Sequence, residues 1–285
     1  MGMRKPVVAV VSLVLLLLGA GSAHAITWGQ PDGEEHPHVV TLLFAQDGVG
    51  FYSCSGTLLS PDLVLTAGHC VEGDSGAPND LTYVSNSPDP LADYAGGGVT
   101  GYLAASDHWV PGEAVPHPEY DGFSAFPDTF DIGLVRLERA IDTGGVYGRL
   151  PEEGMLDALL TRKGATTQRQ VGIVGYGLQG TVPAFEQEDY VRYRGTSTIT
   201  GLSRSSTQGG HSLQLTNSPG EGTGGSGTCF GDSGGPAFWI DPATGRETTT
   251  VVAVTSFGIT GRCAGTDFSF RTDIPAAQDF VDAHL

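Results

Sequence analysis

Residues Gly227 to Phe238 read "GTCFGDSGGPAF". Four glycines and one aspartate surround a single serine, Ser233. Backbone this bare is expected where the main chain must take an unusual conformation or come close to another group. A serine hydroxyl is a poor nucleophile until a base takes its proton, and the base needs a third group to orient it. Of the eight histidines, His69 is the best placed, in "LVLTAGHC" after an apolar run and beside Cys70. Taken alone, it reads more simply as an ordinary histidine at a strand end. For the third group, "DTFDIGLVRL" puts Asp131 at the mouth of an apolar strand. A carboxylate there costs free energy unless hydrogen bonds compensate it. Asp128, in the same run, reads as a turn residue.

The chain opens with "MGMRKPVVAVVSLVLLLLGAGSAHA". Arg4 and Lys5 precede an apolar run from Val7, and Ala23-His24-Ala25 fits the small-x-small rule for signal peptidase. The run is too short to span a bilayer comfortably. Residues 1–25 are therefore expected to be a cleaved signal peptide and the mature protein to be secreted, with no membrane association. Removing them leaves 260 residues with 12 basic against 32 acidic side chains, a net charge of −20. Such a surface repels nucleic acid and anionic membranes. The acids are scattered rather than blocked, which argues for solubility and not for a binding tail.

Cys54, Cys70, Cys229 and Cys263 suggest two disulfides in an exported chain, with three pairings open. No CxxC pair or Cys/His cluster argues for zinc, so neither metal nor cofactor is expected. "HPH" at His36–His38 offers weak metal ligands at most, and a plain surface turn is the simpler reading. "EGDSGAPND" after His69 offers acids to calcium, but such a loop is more simply solvated.

Glycine, at 43 residues, falls between short β-rich runs such as "VVTLLF", "SGTLLS", "DIGLVRL", "QVGIVGYG" and "TVVAVTSFG". That rhythm predicts an all-β antiparallel barrel or sandwich rather than βαβ units. Helix is expected twice at most: a short one in "EEGMLDALLTR" from Glu152, and a C-terminal one in "IPAAQDFVDAHL", where Ala277, Phe280, Val281 and Leu285 keep helical spacing.

"LTAGHC", "DIGLVRL" and "GDSGGP" occur in the order His, Asp, Ser and resemble the chymotrypsin-like (trypsin-fold) serine peptidases. "ITWGQPDG" from Ile26 is similar to that family's mature start, "VGYG" to its glycine-aromatic-glycine turn, and "TSFG" to the strand lining its cleft. The likeness is weakest over residues 73–118 and 179–210. "GDSGG" also satisfies G-x-S-x-G, the nucleophile elbow of α/β-hydrolases. That fold needs Asp and His after the serine, and only His284 follows, so chain order rejects it.

The resemblance implies two six-stranded antiparallel β-barrels, residues 26–150 and 151–285, forming one peptidase domain with a C-terminal helix. It implies a serine endopeptidase acting on peptide or protein substrates through an acyl-enzyme, monomeric and open to protein protease inhibitors. Ser233 would be the nucleophile, His69 the base, Asp131 its orienting partner, and the N–H groups of Gly231 and Ser233 the oxyanion donors. Cys54–Cys70 and Cys229–Cys263 would be the disulfides. Asp232 would pair with the free amine of Ile26, exposed by the signal cut. A binding homologue without catalysis is the alternative, and the intact motif set counts against it.

In the family the residue six before the serine lies at the base of the specificity pocket; here it is Gly227. Ser256, Phe257 and Gly258 would line its wall. Aligning the last strand on Arg271 places Asp267 opposite them, where an acid attracts lysine or arginine. Basic preference is therefore expected slightly ahead of aromatic or broad preference.

Overall fold

The computed structural model describes residues 26–45, 51–72, 79, 81–126, 128–159, 169–182, 185–187, 189–202, 211–217 and 225–285. The expected signal segment, residues 1–25, lies outside them, as do most of the acidic loop after His69 and residues 160–168.

A two-residue strand β1 (Gln30–Pro31) comes first, followed by six strands that close a barrel. These are β2 (Val39–Ala45), β3 (Phe51–Ser60), β4 (Leu63–Thr66), β5 (Leu81–Ser85), β6 (Val110–Pro116) and β7 (Gly133–Leu137). Their order around the barrel is β2-β3-β4-β7-β6-β5, all antiparallel, with β5 returning to β2. The second half holds β8 (Gln170–Gly175), the small hairpin β9 (Gly180–Val182) and β10 (Phe185–Gln187), and then β11 (Tyr193–Leu202) and β12 (Ser212–Asn217). The strands β13 (Pro236–Asp241), β14 (Arg246–Gly258) and β15 (Gly265–Arg271) complete it. Its order is β8-β11-β12-β15-β14-β13, and β13 pairs back with β8. The two barrels thus repeat one strand order, first-second-third-sixth-fifth-fourth, and closure leaves neither with a free edge to seed aggregation.

Every residue of β2, "VVTLLFA", is buried. One apolar cluster explains this, because it runs from Val40 and Leu42 of the first barrel to Val174, Phe238 and Phe270 of the second. The barrels are packed face against face, so β2 has no solvent side and its sequence shows no alternation.

Each chain end crosses to the other half. β1 pairs with β11 of the second barrel. The C-terminal helix, Pro275–Asp282, docks on the first, where Phe280 meets the His117 ring at 4.9 Å and Arg136 donates to the His284 carbonyl at 2.7 Å. That helix forms where its spacing predicts, started by Pro275. The expected helix after Glu152 is a 3-10 turn over Met155–Leu159. Two helices were not expected: α1 (Gly68–Glu72) and α2 (Val99–Ala105), so the C-terminal one is α3. The α2 segment "VTGYLAA" has too few apolar repeats to announce itself, and its Leu103 is held by packing against Leu43, Tyr83 and Trp109.

The "HPH" segment corrects a second expectation. His36 and His38 are 8% and 2% exposed, so the stretch is no surface turn. His36 bonds through both ring nitrogens to carboxylates, Asp32 at Nδ1 and Glu247 at Nε2. Asp32 in turn receives Nε–H of the buried Arg192 at 2.8 Å. This cluster fastens the N-terminal stretch to the second barrel.

Candidate active site

His69 stands on the single turn α1, directly after β4, and Asp131 precedes β7, the strand that pairs with β4. That pairing brings residues 62 apart in sequence into contact. The Asp131 carboxylate, fully buried, accepts the His69 backbone N–H at 2.8 Å and stands 2.9 Å from His69 Nδ1. Ser256 Oγ, from β14, donates to Oδ2, the carboxylate oxygen nearest His69 Nδ1. Three donors thus compensate a carboxylate that burial would otherwise neutralise. Burial works against charge on both partners, yet each outweighs it for the other: Asp131 is held below the usual carboxylate range and His69 above the usual imidazole range.

The serine loop comes from the second barrel but is pinned by the first. Ser55, on β3, donates its N–H to the Ser233 carbonyl at 2.7 Å and its Oγ to the Gly231 carbonyl at 2.9 Å. The same Oγ receives the Tyr176 N–H at 3.0 Å. Sequence reasoning missed Ser55, because only a loop packed from the other half makes the residue beside Cys54 matter. Gly231 and Gly234 have φ of +94° and +81°, where side chains are strained. A Cβ on Gly231 would come 2.8 Å from the Gly177 Cα, and one on Gly234 2.3 Å from the Ser55 carbonyl oxygen.

Ser233 and His69 line the same cavities. No hydrogen bond joins their side chains among the described residues. Cys54–Cys70 and Cys229–Cys263 are both formed, the first beside His69 and the second along the cavity wall.

One cavity, about 480 Å3, runs from Ser233 past Ser256, Phe257 and Gly258 to Asp267. Asp267 faces Gly258 in the β14–β15 register, as the Arg271 alignment expects. It is 4% exposed and accepts three bonds: Thr228 N–H at 2.8 Å, Thr228 Oγ1 at 2.7 Å and Asn217 Nδ2 at 3.0 Å. Burial raises its pKa against those donors. Gly227 does not line this cavity. Asn217 lies against it, its Oδ1 1.8 Å from where a Gly227 Cβ would stand. Asn217 also accepts from Thr27 Oγ1 at 2.8 Å, and nothing in the sequence marks it out.

Asp232 is fully buried behind the loop and accepts the N–H groups of Gly177 at 2.8 Å and Cys229 at 2.9 Å. Burial pushes it up to about 7; those N–H groups and that of Ile26 oppose the rise, while the Asp267 charge adds to it. Ile26, wholly buried, has φ +53°, a genuine outlier for a β-branched residue.

The Trypsin family model matches residues 26–281. Among curated relatives, brachyurin of Leptuca pugilator is 29% identical over 80% of this chain and 83% of its own length. Serine protease 1 of Drosophila melanogaster is 27% identical over 84% and 77%, and a trypsin of Saccharopolyspora erythraea 25% identical over 71% and 76%. The solved structure of HL collagenase has the same fold at TM-score 0.63 and 16% identity, covering 92% of this chain and 98% of that one. A thermostable serine protease, AL20, gives 0.57 at 17% identity over 88% and 98%. With the double barrel, the Ser233 loop and a family match from residue 26 to residue 281, the protein belongs to the trypsin family and is a serine endopeptidase.

Proposed function

We propose that Ser233, His69 and Asp131 form the catalytic triad of a secreted endopeptidase that cuts after lysine or arginine in preference to aromatic residues. The observation that carries the triad is the His69 Nδ1–Asp131 bond at 2.9 Å, in a cleft that Ser233 also lines. Asp131 fixes the imidazole with Nδ1 protonated and Nε2 free to accept. Ser233 Oγ attacks the scissile carbonyl as His69 takes its proton, and His69 returns that proton to the leaving amine. The Ser233–His69 contact closes when substrate fills the cleft, since such bonds are often long in free enzymes. The N–H groups of Gly231 and Ser233 receive the oxyanion, each such donor contributing about 3 kcal/mol to lowering the barrier in serine proteases.

The basic preference rests on Asp267, which with His69 makes up the titratable lining of the 480 Å3 cavity. The two barrel halves are assigned to residues 26–150 and 151–285 of one monomeric peptidase domain. Residues 1–25 serve as the signal, and its removal frees the Ile26 amine. Two observations support that activation step. Cutting the bond before Ile26 removes the carbonyl that makes φ +53° costly, a strain of about 1–3 kcal/mol at such positions. An ammonium there also supplies a cation to Asp232, which has no cationic side-chain partner among the described residues.

A fluorophosphonate probe tests the triad: it should label the wild type and fail on Ser233→Ala. Labelling that persists in the variant refutes the assignment. Substrates with Arg, Lys, Phe or Leu before the bond, run against wild type and Asp267→Ala, test the pocket. Arginine turnover unchanged by that substitution removes Asp267 from specificity.

A further inference from the structure

A second cavity, about 1070 Å3, opens on the far side of Ser233 from Asp267. The two share His69, Phe230 and Ser233, so a chain threaded through one must continue into the other. The Asp267 side takes the residue before the scissile bond. The larger groove, against the Cys54–Cys70 bridge, is therefore where the leaving half of the substrate lies.

The lining is aromatic and aliphatic. Tyr52 comes from β3, Tyr94, Val99 and Tyr102 from the segment around α2, and Leu178 and Tyr190 from the second barrel. Among the described residues, His69 is its one titratable member apart from tyrosine hydroxyls. Those hydroxyls are largely turned to the protein's own acceptors. Tyr52 Oη donates to Asn79 Oδ1 at 2.6 Å, Tyr94 Oη to the Gly97 carbonyl at 2.7 Å, and Tyr102 Oη to the Pro90 carbonyl at 3.0 Å. Tethered this way, the rings offer faces and edges rather than polar tips, and they lose little freedom when a ligand packs on them. The Tyr94 and Tyr102 rings stand 5.0 Å apart. Val99 and Tyr102 rest on the small core of Leu43, Tyr83, Leu103 and Trp109, which keeps the wall firm.

We propose that this enzyme selects substrates by their leaving side, favouring aromatic or large aliphatic residues in the first positions after the cut. The α2 segment and Tyr190 both lie in the stretches, residues 73–118 and 179–210, where the likeness to the family's motifs is weakest. The inference rests on Ser233 and His69 doing the chemistry proposed above.

Acyl transfer reads this groove directly. A small arginine or phenylalanine ester with no amino acid after the bond acylates Ser233. The acyl-enzyme then partitions between water and an added amino-acid amide. In the second route the amine attacks the acyl carbon, the Ser233 Oγ–C bond breaks, a peptide bond forms, and the amine proton returns through His69 to Ser233. The ratio of phenylalaninamide to glycinamide partitioning does not depend on how fast the ester reacts. It should exceed tenfold, since filling an apolar pocket gives about 10–200-fold discrimination. Val99→Asp should cut the ratio to about threefold or less and raise partitioning to argininamide. Thr100→Glu, at an exposed position on the same rim, repeats the test should Val99→Asp misfold. Equal partitioning of the two amides by the wild type overturns the inference, as does a ratio untouched by a folded Thr100→Glu variant. An ester that is not hydrolysed refutes the triad instead and takes the inference with it.

Discussion

The tripeptide His36-Pro37-His38 should make stability fall on both sides of neutrality, with one histidine responsible for each side. His36 lies between Asp32 and Glu247, and these carboxylates overcome burial and push its pKa up to about 9 from 6.5. His38 has no hydrogen-bond partner for either ring nitrogen among the described residues. Burial, with the charges of His36 and Arg192, pushes it down to about 4 against the pull of Asp32. The folded state binds a proton at His36 more tightly than the unfolded chain does. That stabilisation is complete below pH 6.5 and is lost as pH rises through 9. The gap of about 2.5 pH units corresponds to about 3 kcal/mol. At His38 the unfolded chain is the better proton binder. Stability is complete above pH 6.5 and falls by about 3 kcal/mol as pH drops to 4. Urea unfolding from pH 4 to 10, in a Ser233→Ala background to prevent self-digestion, separates the two. Subtracting a His36→Gln curve from the parent gives a slope of at most about 1.4 kcal/mol per pH unit over pH 6.5–9, a range above that in which His38, itself sensitive to the His36 charge, titrates. Subtracting His38→Phe isolates one of opposite sign below 6.5, because phenylalanine packs against Phe238 as His38 does but cannot titrate. Other groups near the pair, including Arg194 and Tyr176, cancel in the differences. A flat His36 difference between pH 6 and 10, or two slopes of one sign, would refute the electrostatic account.

Gly231→Ala should lower kcat at least about 100-fold with little change in KM, since both φ +94° and the Gly177 approach forbid a side chain where the oxyanion donor must point. Steady-state kinetics on one ester decides it, and near-normal kcat sinks the idea. Ser256→Ala removes a hydrogen bond to the Asp131 carboxylate, a loss of about 1.5–3 kcal/mol for a charged acceptor. kcat/KM should drop roughly tenfold or more, and an unchanged value would make that bond incidental. Activity should also decline in alkali. The proposed pair with Asp232 needs the Ile26 amine charged, and an α-amino group has a reference pKa of roughly 8, so seating is complete well below the amine's pKa in the pair and fails as pH climbs through it. A profile of kcat/KM that stays level to pH 11 contradicts the proposed ion pair.

Much of this protein was readable along the chain. Short β-rich runs between glycines gave the all-β class, because strand periodicity and turn chemistry are local properties. Glycines and apolar flanks around "GHC", "DIGL" and "GDSGG" are local traces of a strained loop and a buried carboxylate, but it is the resemblance of the three in their order to the family's motifs that points to the candidate site. A place for Asp267 opposite Gly258 was expected only through the family resemblance, which anchors the last strand at Arg271. What escaped was set by contacts between distant segments. Ser55 is an unremarkable strand serine until the second barrel lays residues 231–233 across it. Asn217 reads as a strand-end residue until β12 carries it beneath Gly227, 10 positions away in sequence but in van der Waals range in space. His36 and His38 look like a polar turn until Arg192 and Glu247 arrive from the other half to bury and partner them. Sequence thus determined which groups can do chemistry, because residue type fixes hydroxyl, imidazole and carboxylate. Only the packing of two closed barrels decided which of those groups meet, because burial and hydrogen bonding depend on neighbours that chain order does not name.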